Sequence, residues 1–154
     1  MVILAIDYGE RRIGMAASDP LEIAAHGLET VQNEGHRAVL DRIAQVVSER
    51  GVELIVVGMP TRMDGTAGPA VHKVRGFIKR LRAHLPEVPI ETMDERLTSA
   101  QAHRALSEEG VTMRRRAERV DRMAAQIILS RYLSLRRHRS ADAEGDQRQP
   151  PADG

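Results

Sequence analysis

The chain has 154 residues, enough for one ordinary domain with a real core and too few for two substantial ones. It has no cysteine, which excludes disulfides, thiolate zinc sites and cysteine nucleophiles, and only three aromatics, Tyr8, Phe77 and Tyr132, which argues against base stacking on aromatic platforms. The net charge of +1 hides an asymmetry: from Ser140 onward four acids face Arg148 alone, leaving 22 basic and 18 acidic residues upstream and a mildly basic body.

In chain order, Val2 to Ile6 is an unbroken apolar run ending in Asp7-Tyr8-Gly9, the pattern of a strand buried on both faces that opens into a turn. Strands 13–18 and 24–31 follow across short connections, which suits an antiparallel meander. A helix is predicted over 36–50, then a strand over 54–57, a helix over 69–85 and a strand over 90–93. Helices over 98–109 and 118–136 complete the pattern; Thr98 and Gln101 form a capping box for the first, and Val120, Met123, Ala124, Ile127, Ile128 and Leu135 recur at helical spacing in the second. Helix-separated strands suit right-handed parallel crossovers. The expected fold class is therefore α/β, a mixed five-stranded sheet of a three-strand antiparallel meander plus two parallel strands, with helices on both faces. Residues 1–138 form one domain. Residues 139–154, rich in Ser, Ala, Asp, Glu, Gly, Gln and Pro without hydrophobic periodicity, read as a disordered tail.

Three acidic segments, remote in sequence, occupy matching topological positions: Asp7 at a strand tip, Asp94-Glu95 between a strand and a helix, and Asp121 bordering the apolar face of the last helix. Parallel strands place their C-terminal ends on one edge, where ligand sites of open α/β sheets form. Converging carboxylates on rigid elements suit Mg2+ or Mn2+, which take oxygen ligands and assist phosphodiester hydrolysis. Any single acid could instead cap a helix or pair with a neighbouring arginine. Arg11-Arg12 beside Asp7 and Arg114-Arg115-Arg116 near Asp121 are candidate phosphate contacts, and Arg96 either neutralises Glu95 or joins them. The arginines from 131 to 139 read as a solvated helix end. The six histidines show no metal-ligand spacing.

The segments Asp7-Tyr8-Gly9-Glu10-Arg11-Arg12-Ile13-Gly14, Gly58-Met59-Pro60 with Met63-Asp64-Gly65-Thr66, Asp94-Glu95-Arg96-Leu97-Thr98-Ser99, and Val120-Asp121 with Ala124-Ala125 resemble the YqgF (RuvX) family of bacteria. The resemblance covers the chain to about His138, departing at Thr61-Arg62 and Ser99 without losing a carboxylate. It implies a ribonuclease H-like fold and a nuclease that processes the 5′ end of precursor 16S ribosomal RNA; an older family label is Holliday junction resolvase. Residue by residue it makes Asp7, Glu95 and Asp121 the catalytic metal ligands, with Asp94 and Asp64 in reserve. Ribonuclease H-like enzymes in general carry an acid at the end of the strand that here ends in Gly58-Met59-Pro60, so Glu95, one strand later, is expected to substitute.

Expected partners are structured RNA, including precursor ribosomal RNA and its particles, and branched DNA. A resolvase acting on two symmetric strands would be a homodimer and an RNA processor a monomer. A non-catalytic RNA-binding ribosome-assembly module is the competing reading, and a phosphotransferase of the actin and sugar-kinase type is disfavoured because the chain has room for only one of the two domains such enzymes use. With no apolar run of membrane-spanning length and a strand pattern at the first residues, a soluble cytoplasmic protein without a membrane partner is expected.

Overall fold

The computed structural model describes residues 1–60, 67–95 and 113–146, apart from the side chains of residues 113–121, 145 and 146. The expected helix over 98–109 lies outside the described residues. The first strand, β1 (Val2–Tyr8), is apolar because both of its faces are covered, and Ile3, Leu4, Ala5 and Ile6 are fully buried. A tight turn returns the chain as β2 (Arg12–Ser18), antiparallel to β1 with Asp7 opposite Gly14 and Tyr8 opposite Ile13. The turn needs Gly9: a Cβ there would run into the Arg12 carbonyl oxygen.

The single strand expected over 24–31 is instead two, β3 (Ala25–Gly27) and β4 (Val31–Gln32), both paired to the outer side of β2. The register explains the break. Ala16 lies opposite Gly27 and Ile13 opposite Val31, so two β2 residues face three residues of the other chain segment. That one-residue excess is a bulge, which interrupts the ladder and raises the strand count from the expected five to six.

Helix α1 (His36–Arg50) then lays Val39, Leu40, Ile43 and Val46 on the sheet. The next strand, β5 (Val52–Met59), returns parallel to β1. After it comes α2 (Pro69–His84), with proline in its first turn, where a missing N–H costs nothing. Its Val71, Val74, Phe77, Ile78 and Leu81 are buried. Then β6 (Ile90–Asp94) pairs in parallel with β5 as the edge strand. The last helix, α3 (Met113–Asp146), is longer than the expected 118–136 and carries helical structure through eight residues of the region read as a disordered tail.

The strand order is β3-β2-β1-β5-β6. Because side chains alternate across a sheet, the strands feed two separate cores. Leu4, Ile6, Ile13, Met15, Ile55 and Val57 pack under α1 and α2. Ile3, Ala5, Ala16, Leu54 and Val56 pack under Ala125, Ile128, Leu129, Tyr132 and Leu133 of α3. The sheet therefore has helices on both faces, and the parallel strands β1, β5 and β6 end along one edge.

Candidate metal centre

Alternation decides which residues meet at that edge. On β1, Ile3 and Ala5 face α3, so Asp7 does too; on β5, Leu54 and Val56 face α3, so Gly58 does too. Past β6, Met93 packs into the α3 core, and Glu95 continues on the same side as its backbone N–H donates to the Met59 carbonyl at 3.1 Å, extending the parallel ladder one step. Asp94 is exposed and its alternation turns it to the opposite face.

The carboxyls of Asp7 and Glu95 consequently share a hydrogen bond across the intervening strand end. Burial, above all, then the charge of Asp7, the hydrogen bond to it and the charge of Asp94 push the Glu95 carboxyl up to about 9. Two carboxylates this close cannot both be ionised cheaply, so the pair holds one proton near neutrality. The Glu95 Oε2 is buried and, among the described residues, has no hydrogen-bond partner.

Gly58 creates the space in which Glu95 lies. A Cβ on Gly58 would overlap the Glu95 Oε2, stand 3.1 Å from its Cδ and 2.6 Å from the Ile128 Cδ1. This role was not foreseen in the sequence, where Gly58 reads only as the end of a strand. Its one visible signal is that glycine stands where the general ribonuclease H-like pattern carries an acid.

The helix α3 runs past this point toward the far end of the sheet, where the Arg136 Nε donates to the Glu22 Oε1 at 2.5 Å. Position 121 lies seven residues before Ile128 and four before Ala125, hence on the sheet-facing stripe of α3 and ~10 Å along its axis toward the edge that carries Asp7. The side chain of Asp121 lies outside the described residues, as do Asp64, Arg96 and the side chains of Arg114, Arg115 and Arg116. Among the described residues no three acids or histidines form a metal-holding group; of the three acids singled out in the sequence, Asp7 and Glu95 lie together.

Around Asp7 the turn is braced. The Asn33 Nδ2 donates to the Gly9 carbonyl at 3.0 Å and to the Tyr8 hydroxyl at 3.4 Å, the Tyr8 ring stacks on Phe77 with centroids 4.5 Å apart, and Glu10 pairs with Lys73 of α2. Arg11 is exposed on this turn, within four residues of Asp7, and its carbonyl accepts from the Asn33 N–H. Arg12 is half-buried at the start of β2. Both expected cations of the first segment therefore lie at the end of the sheet that carries the carboxyl pair.

The family model described as "RuvX: Holliday junction resolvase" matches residues 1–135. A protein of Desulforamulus reducens named "Putative pre-16S rRNA nuclease" is 41% identical over 133 residues, covering 86% of this chain and 96% of its own length. One of Gloeobacter violaceus with the same name is 39% identical over 148 residues, covering 95% and 93%. Among solved structures, Thermus thermophilus RuvC in complex with a Holliday junction substrate superposes with a TM-score of 0.56 at 18% identity, covering 88% of this chain and 95% of that one, which shows a shared fold. The four motifs, the sheet order that gathers Asp7, Gly58 and Glu95 at one edge, and the match over nearly the whole folded body place this chain in the RuvX (YqgF) family.

Proposed function

We propose that this chain is a divalent-metal-dependent nuclease that matures the 5′ end of precursor 16S ribosomal RNA in the cytoplasm. Asp7, Glu95 and Asp121 are the proposed ligands of Mg2+ or Mn2+. One observation carries the reading: a half-buried pair of carboxyls, Asp7 and Glu95, with one buried Glu95 oxygen that has no hydrogen-bond partner among the described residues. A buried oxygen without a partner is costly in a structural role and natural in a cation site. When bound, the ion supplies positive charge that offsets the phosphate and activates water. The chain's own contribution is to hold Asp7 and Glu95 at strand ends whose positions are fixed by the sheet; their shared proton would have to leave for both carboxylates to hold a cation. Arg11 and Arg12 on the neighbouring turn hold phosphates of the substrate, with Arg96 and Arg114 to Arg116 as further contacts.

The test is Mg2+- or Mn2+-dependent cleavage of a labelled RNA spanning the precursor 16S 5′ end, comparing wild type with Asp7→Asn. The variant binds the RNA about as well and does not cleave it; equal cleavage by the two proteins removes Asp7 from the role. A Holliday junction resolvase is the second reading, favoured by the family model's description and by the fold shared with RuvC. A labelled four-way DNA junction in the same assay decides between them, and a chain that remains monomeric while cleaving only RNA excludes the resolvase. If neither substrate is cut with metal present while RNA is bound, the chain is a ribosome-assembly module that retains the fold.

A further inference from the structure

Helix α2 carries Lys73, Arg75, Lys79, Arg80 and Arg82 and no acidic residue from Pro69 to His84. Helix α1, similarly placed on the same face of the sheet, balances Arg37, Arg42 and Arg50 with Asp41 and Glu49, so an acid-free surface is not simply what this face requires. Lys73 is occupied by Glu10 and Arg80 is half-buried. The remaining three, Arg75, Lys79 and Arg82, are exposed and recur at i, i+4 and i+7, one narrow stripe spanning ~10 Å of helix. With Met59, Ile78 and Thr92 they line an open groove of about 540 Å3 between α2 and the edge strand β6, and among the described residues no acid lines it.

Helix stability does not explain the stripe. Like charges at i, i+4, as Arg75 and Lys79 are, weaken a helix by ~0.2–0.5 kcal/mol. The helix dipole favours Arg82 near the C-terminus but not Arg75, the seventh of sixteen residues. Arg82 is also fixed in direction, since its Nη2 donates to the Ile90 carbonyl at 3.4 Å and holds the guanidinium over β6. The upper end of the groove is Met59, the residue whose carbonyl receives the Glu95 N–H. The groove thus begins one peptide from the carboxyl pair, on the opposite face of the sheet, and runs down the outer side of the molecule.

We propose that this groove is a track for the sugar-phosphate backbone of the substrate beyond the cleaved bond, which wraps over the β6 edge and is held by Arg75, Lys79 and Arg82. The proposal rests on the nuclease reading above. Three cations without an aromatic residue among them contact phosphates rather than bases, so the track is independent of base sequence.

The experiment measures binding of labelled single-stranded and duplex RNA to the full chain in EDTA across a salt series, so cleavage does not enter. Wild type is compared with Arg75→Gln/Lys79→Gln/Arg82→Gln and with a charge-matched control on α1, Arg37→Gln/Arg42→Gln/Arg50→Gln. The α2 triple variant lowers the slope of log K against log salt by about 1.5–2.5, as expected for two to three lost contacts at ~0.7–0.9 each, and weakens binding at least tenfold near ~0.1 M salt; the control does neither. The double variant Arg75→Gln/Lys79→Gln, which leaves the Arg82 bond to β6 intact, loses about two contacts and serves if the triple variant unfolds. An unchanged slope, or equal losses in the α1 control, overturns the track; in the first case an acidic protein becomes the occupant to test. Because no cleavage is read, failure of Asp7→Asn to abolish catalysis would leave the binding result standing, and the converse also holds.

Discussion

Replacing Gly58 with alanine is the most direct perturbation of the carboxyl pair. The glycine needs no unusual backbone angle, so the substitution acts only through the added methyl group. That methyl overlaps the Glu95 Oε2 and stands 2.6 Å from the Cδ1 of Ile128, a side chain that is 1% exposed and has little room to yield. Overpacking of this kind costs about 1–3 kcal/mol, which for a chain of this size lowers the unfolding midpoint by several degrees. The catalytic effect is larger than the stability effect. The contact falls on the far end of the Glu95 side chain, which yields by rotation, so its carboxyl leaves Asp7, and a displacement near ~1 Å in a catalytic constellation lowers the rate by ~100-fold. Single-turnover cleavage of the precursor RNA in saturating Mg2+ reads this as a fall in rate with binding changed by no more than a few-fold. Adding Ile128→Val separates the two effects, since it relieves the helix contact and restores the midpoint while the overlap with Glu95, and the slow cleavage, remain. Wild-type cleavage by Gly58→Ala would refute the reasoning, because either the carboxyl does not lie over Gly58 or its place there is irrelevant to the chemistry.

The raised Glu95 carboxyl also predicts how metal-free stability varies with pH. The unfolded chain loses this proton near 4.5 whereas the folded chain keeps it up to about 9, so the folded state binds more protons between these values and stability falls as pH rises through that window. Thermal unfolding in EDTA shows the fall, Glu95→Gln flattens it and raises the midpoint at pH 8, and Mg2+ or Mn2+ raises the midpoint of wild type but not of the variant; a pH-independent wild type would contradict the shared proton. Asp19 behaves oppositely: its carboxylate accepts from the backbone N–H groups of Leu21, Ile23 and Ala24 at 3.2, 2.8 and 2.8 Å, which lowers its pKa. Asp19→Ala therefore lowers the midpoint at neutral pH, with the difference from wild type disappearing in acid as the carboxylate is protonated in both folded and unfolded chains. Tyr132→Phe removes a hydroxyl that donates to the Glu91 Oε2 at 2.5 Å and costs about 0.5–1.5 kcal/mol in urea unfolding without changing the cleavage rate; a rate change would mean that this strand–helix tie reaches the carboxyl pair.

What could be read from the sequence follows from what each pattern measures. The apolar run Val2–Ile6 ends where both cores end, so Asp7 at its tip was legible, as were helices α1 and α2, whose buried residues recur with the helical period. The break between β3 and β4 was not, because a one-residue register excess leaves no trace in the polarity of the strand. The extension of α3 beyond 136 was not legible for a related reason. Its residues bury little, and a polar, acid-rich composition was read as disorder although a helix satisfies its backbone from within and tolerates an exposed face. The choice between Asp94 and Glu95 is a question of parity. In Ile90-Glu91-Thr92-Met93-Asp94 no clean alternation marks the faces, and only the packing of Met93 under α3 and the hydrogen bond from Tyr132 to Glu91 establish that odd positions turn toward Asp7. The same geometry accounts for glycine at a position where the general pattern carries an acid. Parallel neighbours lie ~4.8 Å apart, so the side chain of one strand end can reach over the next if that next residue has no side chain of its own. Glu95 does this across Gly58. Glycine at 58 and glutamate at 95 are therefore two halves of one structural requirement, and an acid restored at position 58 would have to displace the carboxyl already lying there.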